Sequence, residues 1–175
     1  QRLMDAPDSD DIDAMLLARG VDYRHMPRVP HAGQVRWLAE GQADAMVAYR
    51  SNEPFELERL GLPYVAYSPR DAGIDFYGDN LFTTEAQLHG RPERVRAFRE
   101  ASLRGWKYAL SHPSEVIELI LRRYAPGRSR EALTYEALQI APLIQGDLVD
   151  VGYQSPERWQ AIAATYQALG IVKEA

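Results

Sequence analysis

Residues 43–55, Ala-Asp-Ala-Met-Val-Ala-Tyr-Arg-Ser-Asn-Glu-Pro-Phe, hold the pattern that decides the fold class. Ala43 to Tyr49 is an apolar run of strand length, suited to a strand covered on both faces. Ser51, Asn52, Glu53 and Pro54 then supply capping residues and a first-turn proline for a helix that runs to about Leu60 and stops at Gly61. Leu62 to Ser68 reads as a further strand. Towards the N-terminus, Gln1 to Ala6 and Tyr23 to Val29 are strand candidates. Between them lies a helix capped by Ser9 or Asp8, with Ile12, Met15, Leu16 and Val21 as its apolar residues and Gly20 as its stop. A short helix around Gly33 to Glu40 precedes the decisive strand. Strands alternating with short helices predict α/β architecture on a parallel sheet.

Beyond about residue 85 the pattern is helical. Pro92 to Ser111 carries Val95, Phe98, Leu103, Trp106 and Leu110 at helical spacing. Pro113 opens a helix whose apolar face is Val116, Ile117, Ile120 and Leu121. A third helix runs from Ser129 to about Ile140. The fourth has Ser155 as N-cap, Pro156 at the first helical position and Gly170 as terminator. Gly73 to Thr84 reads as a linker or crossing strand between the halves. The first seventy residues are too few to cover all of these helical faces, so the pattern calls for a further packing surface.

Composition removes several function classes. A net charge of −5, with Lys and Arg scattered along helices, argues against nucleic acid as a partner. The chain has no cysteine, which excludes disulfides, thiolate metal sites and a cysteine nucleophile. No stretch reaches the roughly 18 apolar residues of a membrane span. The four histidines, His25, His31, His89 and His112, show no metal-ligand spacing, and neither GxSxG nor a Gly-rich phosphate loop occurs. No catalytic residue, metal ligand or cofactor is assigned, and the chain reads as a binding protein and not an enzyme.

In open parallel sheets, ligands sit beyond the carboxyl ends of the strands. Three polar clusters fall in such places. Asp8, Ser9 and Asp10 follow the first strand. Tyr49, Asn52 and Glu53 follow the strand at 43–49. Asp75 and Tyr77, with Asp79 and Asn80, lie in the crossing segment. Each has a structural alternative: the acids and Asn52 also suit helix capping, where carboxylates complement the helix dipole. As a ligand set, this many carboxylates would repel an anion across a desolvated cleft. The expected ligand is cationic or amine-bearing, with Tyr49 and Tyr77 as aromatic walls.

The runs Tyr49-Arg50-Ser51-Asn52-Glu53-Pro54-Phe55, Asp75 to Phe82 and Pro92 to Ile120, together with Gly152 to Gly170, resemble the NMT1/THI5-like periplasmic solute-binding proteins. The resemblance implies a two-lobed, Venus-flytrap type II periplasmic-binding fold. Residues 1–74 would be the second α/β lobe, and 75–175 the crossing strand and helical return to the first. The N-terminal part of lobe one, on the order of a hundred residues at typical domain size, would then be absent from this stretch.

Tyr49 and Glu53 match the spacing at which pyrimidine-precursor binders of the family contact their ligand. The resemblance of residues 76–85 and 92–110 is to copies that serve as ligand sensors. It implies an extracytoplasmic domain tethered at the inner membrane and coupled to a membrane-bound signalling module. An ABC permease is the alternative partner, with the chain as an importer's binding protein. A thiamine-pyrimidine synthase activity is disfavoured, because the synthases of the family use a cysteine-rich motif that this chain lacks.

Overall fold

A computed structural model describes residues 1–6, 9–31 and 33–173. The described chain is mixed α/β with one small parallel sheet. It divides into two compact units, residues 1–76 with 154–175, and residues 77–153. The sequence division at 74/75 carried the last helix with the helical half, whereas here that helix groups with the sheet.

The sheet unit contains three strands, β1 (Leu3–Asp5), β2 (Arg28–Pro30) and β3 (Ala45–Met46), in the order β2-β1-β3. Both pairings are parallel, with Met4 opposite Val29 on one side and Met46 on the other. Parallel neighbours require crossovers. These are α1 (Asp10–Ala18) with a 3₁₀ turn at Tyr23–His25, and then α2 (Arg36–Ala39). Helix α3 (Glu53–Arg59) follows β3. Met4, on the central strand, is fully buried, and Leu3, Ala14, Val35, Ala43, Leu57 and Ile162 complete the core around it. Burying a Met side chain contributes about 1.5–3 kcal/mol, so the centre of the sheet is where this unit is held.

Three expectations are corrected. The expected strands are cut to two or three residues each, and Tyr23–His25 is a 3₁₀ turn held by Asp22, whose side chain accepts from the Arg24 N–H. Leu62–Ser68 is not a strand: no described strand lies beside it to complete a ladder, and Tyr64, Val65 and Tyr67 stay exposed. The same holds for Gly73–Thr84, which forms no strand and opens at the end of a 3₁₀ turn, Pro69–Ala72. The sheet unit closes with α8 (Pro156–Ala168), whose N-cap Ser155 accepts from the Arg158 N–H.

The second unit is helical: α4 (Glu85–Gly90), α5 (Pro92–Ser111), α6 (Pro113–Arg123) and α7 (Arg130–Ile144). Proline at the first position starts α5 and α6. Ser129 caps α7 by accepting the Ala132 N–H at 3.0 Å. That helix passes through Pro142 and runs to Ile144, four residues beyond the expected stop, with Gln145 as its C-cap in the left-handed region. Among the described residues of this unit only Ile117 and Leu133 are buried apolar side chains. Phe98, Trp106, Tyr124, Leu138 and Leu148 remain exposed. Of the apolar faces predicted from spacing, Phe98 and Trp106 on α5 are exposed, whereas the α6 residues Val116, Ile117, Ile120 and Leu121 are half-buried or buried.

Candidate functional site

A sheet ordered β2-β1-β3 reverses its winding between β1 and β3, and ligands of open parallel sheets sit in the crevice at that reversal, beyond the strand ends. The chain leaves β1 into Ala6 and re-emerges at Ser9, the N-cap of α1. It leaves β3 into residues 47–52, ahead of α3. Two of the three polar clusters expected from sequence therefore flank one edge of one sheet.

On the β3 side, Glu53 is buried and both of its oxygens are engaged by its own loop. Oε2 accepts the Tyr49 N–H at 2.8 Å and Oε1 accepts Asn52 Nδ2 at 3.1 Å. The turn is further closed by the Asn52 N–H donating to the Tyr49 carbonyl at 2.9 Å. Pinned this way, the Tyr49 side chain projects outwards, with 77% of the residue exposed. Glu53 acts first on the loop. A carboxylate oxygen accepts more than one hydrogen bond, so it retains capacity for a ligand donor.

On the β1 side, Ser9 is buried and its hydroxyl donates to the Ala6 carbonyl at 3.2 Å, making no side-chain cap. Asp10, Asp11 and Asp13 occupy the first turn of α1. Burial pushes the Asp11 carboxyl up from its ordinary range, and the negative charges of Asp10 and Asp5 push the same way. The Ile12 N–H, which donates to it at 2.9 Å, partly opposes them. The fourth acid, Asp5, ends the central strand with its side chain only 3% exposed. Arg28 forks between Asp5 Oδ2 and Asp13 Oδ1, tying β1, β2 and α1 together, while its guanidinium lies 5.8 Å from the Tyr23 ring centre. Burial would lower the Arg28 pKa, but Asp13 and Asp5 outweigh it and raise it. Asp5 Oδ1 is buried with no hydrogen-bond partner among the described residues. Arg28 thus pairs with two of these four carboxylates, Asp5 and Asp13, and among the described residues the α1 end of the crevice is acidic.

His31 closes the edge between β2 and β3. Its backbone N–H donates to the Asp5 carbonyl at 2.9 Å, and its Nε2 lies 2.9 Å from the Val47 carbonyl. Nδ1 accepts the Gly33 N–H at 3.2 Å. Those partners fit a neutral ring carrying its proton on Nε2.

The remaining expected residues lie elsewhere. Asp75 Oδ1 is shared by Arg70 Nε at 2.8 Å and Arg158 Nη2 at 2.6 Å. Tyr77 opens the helical unit. Asp8 lies outside the described residues. Sequence reasoning missed Asp5, Asp11, Asp13, Arg28 and His31. Spacing along the chain set the histidine aside, but an acid closing a buried strand and a basic residue opening the next were available as a signal. Among the described residues no group of three or more His, Asp or Glu side chains could hold a metal ion, and no helix is long and apolar enough to cross a membrane.

The NMT1/THI5-like family model matches residues 7–116. The riboflavin-binding protein RibY of Chloroflexus aurantiacus is 26% identical over 144 residues, which cover 79% of this chain and 41% of the relative. The chain therefore spans about two fifths of the curated relative it matches.

Since its matched segment exceeds half its length, the chain belongs to the NMT1/THI5-like family.

Proposed function

We propose that the chain is the ligand-binding part of an extracytoplasmic sensor, taking a small planar nitrogen heterocycle with amino or other N–H donors at the β1/β3 edge. One observation carries the reading. The reversal point of the sheet is flanked on one side by an acidic helix start and on the other by an outward tyrosine pinned by a buried glutamate. Acceptors of negative sign suit amines and ring N–H groups, and an exposed phenol ring suits stacking on a flat ring. The relative's printed ligand, riboflavin, is a flat nitrogen heterocycle with a ring N–H. It widens the expected class from cationic or amine-bearing ligands to neutral heterocycles of the same hydrogen-bonding sense.

Tyr49 stacks on the ligand, while Asp10 and Asn52 meet its donors. Glu53 holds the Tyr49 loop and offers its remaining acceptor capacity. Ser9 lines the β1 side of the crevice. The exposed Phe98 and Trp106 on α5 and Leu138 on α7 support the two-lobed reading, in which more chain packs on them. Ligand would favour the closed form only through contacts made by both lobes. No bond-making chemistry is assigned to these groups. Tethering at the inner membrane and coupling to a signalling module rest on the resemblance of residues 76–110.

Isothermal titration of the full-length protein with riboflavin and with aminopyrimidines tests the site. Tyr49→Ala should weaken binding at least about tenfold, the equivalent of 1.4 kcal/mol, with little change in melting temperature. Unchanged affinity in that variant removes Tyr49, and with it the proposed edge, from the binding site. The sensor role requires the full-length protein to continue into a membrane span and a cytoplasmic signalling module; co-purification with an importer's permease instead would replace it.

A further inference from the structure

Helix α8 grips the point where the chain leaves the sheet unit. Arg158 donates from Nε to the Asp75 carbonyl at 2.9 Å, and from Nη2 to Asp75 Oδ1 at 2.6 Å and the Phe76 carbonyl at 3.0 Å. These partners are 82 and 83 residues away in sequence, and Arg158 is the more covered member, its side chain 27% exposed. Ile162, one turn on, is buried, and Tyr166, two turns on, stacks on Phe76 with ring centres 5.3 Å apart. Spacing of four residues puts all three side chains on one side of the helix. The neighbouring Trp159 donates its ring N–H to Gln154 Oε1 at 3.3 Å, beside the point where the chain re-enters this unit. Both crossing points are thus fastened to the first turn of one helix.

We propose that Arg158 is a positioning residue that makes the crossing segment at 75–76 and helix α8 a single mechanical piece. In this role it sets the start of the segment carrying Tyr77 and transmits any ligand-driven movement of that segment to the C-terminal helix. Asp75 is then an anchor for two arginines and not a ligand contact. The coupling stands on the hydrogen bonds alone; its consequence for ligand rests on the solute-binding reading.

Hydrogen exchange of the ligand-free full-length protein reads the coupling directly. The Gly73 and Ile74 amides donate to the Arg70 and Pro69 carbonyls on the segment side, and the Trp159 amide donates to the Ser155 carbonyl on the helix side. Arg158→Gln should speed exchange at both places together, by about tenfold or more if local opening controls it. The Val47 amide, which donates to Met4 in the sheet, should keep its wild-type rate. Arg158→Lys, which keeps the charge but not the fork over two carbonyls, should fall between the two. Faster exchange on one side only, or on neither, overturns the proposal. If Arg158→Gln loosens the sheet as well, Asp75→Asn decides: a smaller rise at both reporters supports the coupling and a wild-type pattern refutes it. Riboflavin affinity, measured in parallel, should weaken in Arg158→Gln. Absence of binding in the wild type would count against the solute-binding reading while leaving the exchange result intact.

Discussion

Replacing Glu53 separates its two roles, loop anchor and ligand acceptor. In Glu53→Ala, the Tyr49 N–H and Asn52 Nδ2 both lose their acceptor. A hydrogen bond to a charged group contributes about 1.5–3 kcal/mol net. The Asn52 amide is exposed and finds water again, so the loss falls mainly on the half-buried Tyr49 bond and on the space left by the buried side chain. A total of about 2–4 kcal/mol follows, which at this chain length lowers the melting temperature by roughly 5–12 °C. Glu53→Gln keeps the shape and one acceptor for the Tyr49 N–H, and the Asn52 amide can turn its oxygen to the new NH₂. Its cost should be about 1 kcal/mol or less. Thermal melts and riboflavin titrations of both variants belong together. The account expects Glu53→Ala to lose stability and affinity, and Glu53→Gln to keep most of both. A Glu53→Ala melt within a degree of wild type would refute the anchoring role. A Glu53→Gln protein that melts normally but binds a hundredfold more weakly would make Glu53 the main charge contact.

Three further outcomes follow from the structure. Hydrogen bonds from Arg24 and His25 hold the Asp22 carboxyl down to about 2, below its ordinary range; because the folded value is lowered, its stabilisation is complete above about pH 4 and disappears as pH falls towards 2, so Asp22→Asn should flatten the acid limb of a pH–stability curve there. Gly152 has φ +82, and a Cβ built on it lies 2.6 Å from Leu103 Cδ2; Gly152→Ala should therefore cost about 1–3 kcal/mol, read as a lowered urea midpoint. Arg28→Met leaves Asp5 and Asp13 uncompensated and should cost about 2–4 kcal/mol; adding Asp5→Asn should recover part of that, and strict additivity in the double-mutant cycle would count against the fork.

The parallel α/β class was legible because the apolar run at 43–49 and the helix start after it are local signals: β3 and α3 form there, although β3 spans only Ala45–Met46, is not covered on both faces, and Asn52 makes no side-chain cap. Ser129, Pro113, Ser155 and Pro156 marked their helices for the same reason. What the sequence hid depends on partners distant in the chain. Leu62–Ser68 has strand composition, but a ladder needs a neighbour, and propensity alone could not show that none of the described strands flanks it. The site divides similarly. Tyr49, Asn52 and Glu53 could be grouped from sequence because they are nearly contiguous, whereas Arg28 reaches Asp5 and Asp13 across 23 and 15 residues. The two arginines that Asp75 pairs with, one of them 83 residues away, could not be read from its surroundings.

Titration of the full-length protein with riboflavin and aminopyrimidines, set against sulfonates and phosphates of similar size, tests the central claim most directly. At a hundred times Kd a true ligand adds about 2.7 kcal/mol, several degrees of melting temperature at this size. The account predicts a saturable shift with the N–H-bearing heterocycles and none with the anions. A shift produced by the anions alone would contradict it and would leave the carboxylates at the start of α1 as helix-capping groups only.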